Sequence, residues 1–462
     1  MSNEVASTRR KKENGTSKAG RRNSYCGMAG EEEVQVVESC FVTPAKDTPR
    51  KALRLSPLDL LMLANRGYTP LVHFYRRRCS VDDFFDVAKL KTALGKALVP
   101  FYPMAGRLRA DADGRLEIDC NGEGMPFLVA HCHLTVDDFS EFKPSPRLRG
   151  LFVPHTDDSE GIVCSTQVTF LKCGGVALGT AVHHGAMDGT AAFHFFQTWS
   201  AFSTEGDWAV VKTPYHDRNL LFARNPPFVH PDTLSLFCLK VNMSQLSGPV
   251  VNEVFTLGKG QVSTLKRICG GDMSTFSVVS AHMWQCMCLA RRLPPNCTMH
   301  LVFPANVRRS MTPPLPDGYF GNAITYVSVA NVARGIASGD LAYIVRRIRD
   351  SLSRVDDELV HSAVDYLELA KTDNHPATGS LPATDMRVVS WLGMPVYDVD
   401  FSWGKPLAML RAESNRGGYV HLIDSVHGDD SIRLVMCIEA SILKEFKCLL
   451  YAKFESMVYS KF

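Results

Sequence analysis

Gly174–Phe202 reads GGVALGTAVHHGAMDGTAAFHFFQTWSAF, and its hydrophobic period changes halfway. Before the two histidines the residues alternate. Val176, Leu178, Thr180 and Val182 take one face, and the small residues Ala177, Gly179 and Ala181 take the other, which predicts a closely packed strand. After them Ala192, Phe195, Phe196, Trp199 and Phe202 recur at helical spacing and make one apolar stripe. A buried strand thus ends at His183-His184, and a glycine-flanked turn leads through Asp188 into a buried helix. Successive strand residues face opposite ways, so the two histidines do not serve one site, and one of them is structural. A neutral imidazole at a strand end suits general-base chemistry near pH 7. The same split argues against a metal site built from His183, His184 and Asp188, and no further Cys/His pair stands nearby at ligand spacing.

Outward from this stretch, 462 residues suffice for two domains. The net charge of +3 hides a basic N-terminus. Residues 1–30 hold seven Lys and Arg against Glu4 and Glu13, a local +5, so the rest is about −2 and offers no nucleic-acid surface. This tail is poor in apolar residues and is expected to be disordered; Met28 is a second possible start. The fourteen cysteines include no CxxC pair, no apolar leader is evident, and no run reaches membrane-spanning length. Free thiols, a cytoplasmic location and no membrane partner are the expectation.

The segment 31–213 is expected to form an N-terminal domain. Strands are predicted over Val34–Val37 and Leu71–Tyr75, a short helix over Leu58–Leu63 and a longer one over Asp82–Leu98. Cys164–Leu171 forms a hairpin with Val176–His184. His131-Cys132-His133 reads as a strand end. Residues 214–250 lose periodicity and read as an interdomain crossover. A second block, 251–462, carries strands at Asn252–Leu257, Met299–Pro304 and Ile432–Ile438. Its helices are expected at Gly260–Cys269, Thr275–Arg291, Asp340–Val355 and from Ser441 onward. The fold class is α/β: two mixed halves with antiparallel-looking strands and flanking helices.

Several stretches stand in one order: Leu98-Val99-Pro100-Phe101-Tyr102-Pro103-Met104-Ala105-Gly106-Arg107-Leu108, Asp119-Cys120-Asn121-Gly122, His184-xxx-Asp188, Tyr319-Phe320-Gly321-Asn322 and Asp400-Phe401-Ser402-Trp403-Gly404. Together they resemble the BAHD family of plant acyl-CoA-dependent acyltransferases, with its HxxxD and DFGWG motifs, from about Glu33 to the end. Their wording is most similar to the hydroxycinnamoyltransferase branch. The resemblance implies a two-domain fold like chloramphenicol acetyltransferase with a channel between the domains. In it His184 is the general base and Asp188 turns away to pair with Arg308. Asp400 and Gly404 support the second motif, and Trp403 is a candidate donor to the developing oxyanion. It also implies acyl-CoA and a small-molecule acceptor as substrates, no metal or other cofactor, and a monomer. CoA would run along the second block, where Ser274 and Thr275 are candidates to touch it or to cap the following helix.

Three departures from the family pattern bear on the reading. Ser402 stands where the family has glycine, and Ser310 where it often has a second arginine. Gly393, within Trp391-Leu392-Gly393-Met394-Pro395, replaces the arginine by which shikimate- and quinate-using relatives grip a carboxylate. The expected reaction is therefore hydroxycinnamoyl transfer to a small amine such as putrescine, agmatine or spermidine. O-acylation of shikimate, quinate or another alcohol is the alternative, and an inactive binding relative the remote one.

Overall fold

The computed structural model describes residues 33–63, 67–77, 83–231, 237, 242–243, 248–372 and 380–459. The basic tail expected over residues 1–30 therefore lies outside the described residues. The strand read from the central stretch spans Val176–His183 and is buried at every residue. Its small face has a steric cause: a Cβ at Gly179 would stand 1.7 Å from the Phe152 carbonyl oxygen. The strand pairs antiparallel with Cys164–Leu171 on one side and Tyr68–Tyr75 on the other. Met125–Cys132, Val34–Val42 and Ala408–Arg411 complete a six-stranded sheet. Helix Gly189–Glu205 closes on it with Phe193, Phe195, Phe196 and Trp199 buried, each such aromatic contributing roughly 2–3 kcal/mol of apolar burial.

A second six-stranded sheet runs in the order Val250–Leu257, Ile432–Glu439, Tyr419–Asp424, Met386–Ser390, Thr298–Asn306, Ile324–Val332. Helix Thr275–Arg291 has the bounds its sequence predicts and lies buried against this sheet and against helices Leu341–Ser353 and Leu443–Tyr459. Both sheets are mixed. Met125–Cys132 runs parallel to Cys164–Leu171, and Met386–Ser390 parallel to both of its neighbours. The antiparallel expectation failed there because parallel neighbours need a long crossover, and the short helix Pro146–Phe152 within the first of these went unread.

Two boundaries need correction. The helix expected from Asp82 begins at Val87, because Asp86 caps it by accepting from the Lys89 amide and Phe85 sits at φ 56°, outside helical space. The division into 31–213 and 251–462 follows chain order, whereas Ala408–Arg411 from the second block forms the edge strand beside Tyr68–Tyr75 in the first sheet. Four residues are too few to show a period. Among the described residues no helix is long and apolar enough to cross a membrane.

Candidate active site

The strand stops at His183, and the two histidines part as the pleat requires. The ring of His183 turns edge-on to Tyr68 at 5.1 Å, and its Nδ1 accepts from the Gly185 amide at 3.2 Å. It is structural. His184 begins the turn and points into the space between the two sheets. It lines a cavity of about 300 Å³ whose walls include Thr69 and Leu71 of the first sheet, Tyr326 and His421 of the second, and the Trp391 loop. His184 also lines a second cavity of about 200 Å³ bounded by Tyr68, Arg149, Ser414 and Arg416. It therefore stands where the two cavities meet.

Asp188 caps the following helix, its Oδ1 accepting from the Ala191 amide at 3.0 Å. Arg308 grips the carboxylate bidentately, Nη1 to Oδ2 at 2.7 Å and Nη2 to Oδ1 at 3.0 Å, and the Ala323 amide donates to Oδ2. Burial pushes this carboxyl up, but the Arg308 charge and the four donors outweigh it and hold the group below its ordinary range. Asp188 is thus an anchored anion facing Arg308, as the resemblance implied.

The turn itself is held by a buried polar cluster that sequence reasoning missed. Asn322 donates through Nδ2 to the His184 carbonyl and to Asp59, both at 2.9 Å. Arg218 donates to the Ala186 carbonyl at 2.7 Å, and its Nη1 lies 2.7 Å from Asp59 Oδ2. Ser56 donates to the same oxygen through its amide and its hydroxyl. Asp59 belongs to the stretch Leu55-Ser56-Pro57-Leu58-Asp59-Leu60, and Asn322 ends Tyr319-Phe320-Gly321-Asn322. Two stretches far apart in sequence meet beneath the candidate base. Arg218 lies in the aperiodic crossover and carried no signal.

The His184 imidazole is left with one usable nitrogen. Nδ1 is buried against the turn, so Nε2 is the atom able to meet a substrate. Burial, with help from the nearby Arg411 charge, lowers the ring's pKa below its ordinary value, while Asp188 and Asn322 oppose this less strongly. At pH 7 the ring is neutral and carries a free lone pair. Such a group, facing a cavity, can accept a proton from a hydroxyl or an amine as it attacks a carbonyl.

Other expected site residues lie elsewhere. Trp403 is a correction: it lines neither cavity around His184, stacks on Phe85 at 4.9 Å, touches Phe84, and has Lys89 Nζ 5.2 Å above its ring. An oxyanion donor must face the reacting carbonyl, and a ring packed into the first core does not. Asp400 Oδ1 accepts from the Ser402 and Gly404 amides at 3.0 and 2.9 Å, fixing the second motif as a turn with Gly404 at φ 101°. Ser402 sits at φ 80°, where the family's glycine is at ease. Gly393 is exposed at φ 70°, its amide held by Asp424 at 2.6 Å, while its neighbours Trp391, Leu392 and Met394 line the cavity. Ser274 spends its hydroxyl as the helix cap, accepting from the Ser277 amide at 3.1 Å, and Thr275 is the first helical residue. Neither lines the adjacent cleft of about 220 Å³, which takes Phe276, Ser310, Leu352 and Val355 and shares Pro304, Asn306 and Ser390 with the main cavity.

Comparison with known proteins agrees with this architecture. A family model described as Transferase family matches residues 32–452. The chain is 39% identical over 442 residues to putrescine hydroxycinnamoyltransferase 1 of Oryza sativa subsp. japonica, covering 90% of this chain and 98% of that protein. It is 36% identical over 438 residues to shikimate O-hydroxycinnamoyltransferase of Nicotiana tabacum, covering 91% and 99%. The crystal structure of vinorine synthase superposes with a TM-score of 0.72 at 23% identity, covering 91% of this chain and 98% of that one, and shares the fold. The chain belongs to this transferase family, the BAHD acyl-CoA-dependent acyltransferases, and is an enzyme of that class.

Proposed function

We propose that this enzyme moves a hydroxycinnamoyl group from CoA to a small amine by direct transfer, with His184 as general base. The observation that carries the reading is His184 itself: a neutral imidazole with one accessible nitrogen, at the junction of two cavities. The acceptor nitrogen attacks the thioester carbonyl carbon and its proton passes to His184 Nε2. The tetrahedral adduct then collapses, the C–S bond breaks, and the departing sulfur takes the proton from the imidazolium. Asp188 is a positioning residue, since Arg308 and two amides occupy its carboxylate. The acyl donor enters by the Phe276 cleft, whose apolar walls suit a pantetheine arm.

Two observations support a hydroxycinnamoyl donor and an amine acceptor. The relatives compared above are named for hydroxycinnamoyl transfer, one of them to putrescine. Gly393 is exposed, lacks a side chain and leaves no guanidinium in the Trp391 loop. The alternative, O-acylation of shikimate or quinate, is favoured by the relative named for shikimate and by a different arginine inside the cavity. The test is release of free CoA thiol from coumaroyl-CoA with putrescine, agmatine, spermidine, shikimate or quinate, one at a time. Turnover with an amine supports the reading. Turnover confined to shikimate or quinate overturns the amine and leaves acyl transfer standing.

A further inference from the structure

The cavity around His184 contains a cation that no carboxylate among the described residues pairs with at salt-bridge distance. Arg411 ends the strand Ala408–Arg411, opposite Leu71 across the ladder, and lines both cavities beside His184. Its Nε donates to the Glu413 carbonyl at 3.0 Å. Among the described residues no carboxylate lies within 4 Å of its guanidinium. The carboxylates on the cavity walls are committed: Asp188 of the larger cavity to Arg308, and Glu413 of the smaller to Arg149 at 2.9 Å. Burial, with Arg416 and Arg149 nearby, pushes the Arg411 pKa down against the opposing influence of Tyr419 and the Glu413 charge, yet a guanidinium stays charged at neutral pH. Arg411 is half-buried, and a charge withdrawn from water without an ion partner is costly unless a ligand completes it.

We infer that Arg411 selects the acceptor, its guanidinium taking a carboxylate carried by the same molecule whose nitrogen or hydroxyl meets His184. This rests on the proposed acyl transfer alone and, for the acceptor, sets an amine or alcohol bearing an acid in place of the polyamines. A polyamine would bring positive charge toward an unbalanced arginine in a cavity whose carboxylates are already taken. A carboxylate would find a planar fork that Gly393 no longer supplies. Occupation of Arg411 would also remove an influence that lowers the basicity of His184, so the base strengthens when the acceptor is in place.

The experiment measures kcat and KM with coumaroyl-CoA for two matched pairs, 3-aminobenzoate against 3-aminobenzamide and shikimate against its methyl ester, with putrescine alongside. Within a pair the nucleophile is kept and the negative charge is lost. The wild-type enzyme is expected to favour the acid of at least one pair by about tenfold or more in kcat/KM. Arg411→Gln should erase that preference, chiefly through a rise of about 10- to 100-fold in the acid's KM. Arg411→Lys, which keeps the charge and loses the fork, should fall between. Preference for the uncharged partners or for putrescine overturns the inference and leaves acyl transfer intact. An equal loss for both members of a pair also overturns it and places Arg411 on the acyl donor. Should Arg411→Gln fail to fold, the wild-type ratio and Arg411→Lys decide. Silence with every acceptor counts against the proposed function; calorimetric titration with the pairs then tests Arg411 alone, and equal binding of acid and uncharged partner overturns its role.

Discussion

Asp188 and His184 are four residues apart and their electrostatic situations are opposite. One is a carboxylate with four donors, the other an imidazole whose accessible nitrogen has none. Removing each should therefore fail differently. His184→Ala is expected to lower acyl transfer by about 10²–10⁴-fold while urea unfolding stays near wild type, because Asn322 holds the turn through the His184 carbonyl, which the variant keeps. Arg308→Gln is expected to cost about 3–5 kcal/mol of stability, since it strands a buried carboxylate; an unchanged urea midpoint would contradict that account. Ser402 offers a gain. Its φ of 80° costs a non-glycine residue about 1–2 kcal/mol, partly offset by hydroxyl contacts to Lys89 at 3.0 Å and to the Ser203 carbonyl at 3.3 Å. Ser402→Gly should stabilise the protein by about 0.5–1 kcal/mol, read from the same unfolding curves.

Among the elements, helix Thr275–Arg291 was legible in the sequence to the residue because Ser274 caps it and an apolar run fills it. Strand Val176–His183 and helix Gly189–Glu205 were legible because the period changes between them. Short or wholly buried strands such as Ala408–Arg411 and Met386–Ser390 were not, since neither is long enough to separate two faces. The same limit governed the site. His184 and Asp188 could be read, and the resemblance supplied Arg308. Arg411, Arg218 and Asp59 could not be placed, because their partners come from elements hundreds of residues away or from the aperiodic crossover. Trp403 misled because a motif fixes a residue type and leaves its neighbours open. Ser274 allows a test at this scale. Ser274→Ala should lose about 1 kcal/mol of stability with the KM for coumaroyl-CoA unchanged; a raised KM would show that the hydroxyl reaches the donor.

Across the whole molecule, buried imidazoles set a pH limit. Burial lowers His73 and His282 to about 4 and His421 to about 3, against 6.5 for the free side chain. Between those values the unfolded chain binds protons that the folded one refuses. Stability is thus complete above about pH 6.5 and falls as the pH drops toward 4, by up to about 1.4 kcal/mol per unit for each such group. Urea midpoints that stayed level from pH 7 to 4.5 would refute this. The junction at His184 has a further consequence in the order of events. If the two substrates reach His184 through different cavities, as proposed, the enzyme has no need to release one product before admitting the other reactant. Initial-velocity lines should intersect, with no half-reaction and no burst of CoA when the acceptor is withheld. Free CoA should compete with the acyl donor and fail to compete with the acceptor. On that arrangement each product would have its own exit, and a substitution in one cavity would slow the release of one product without touching the other.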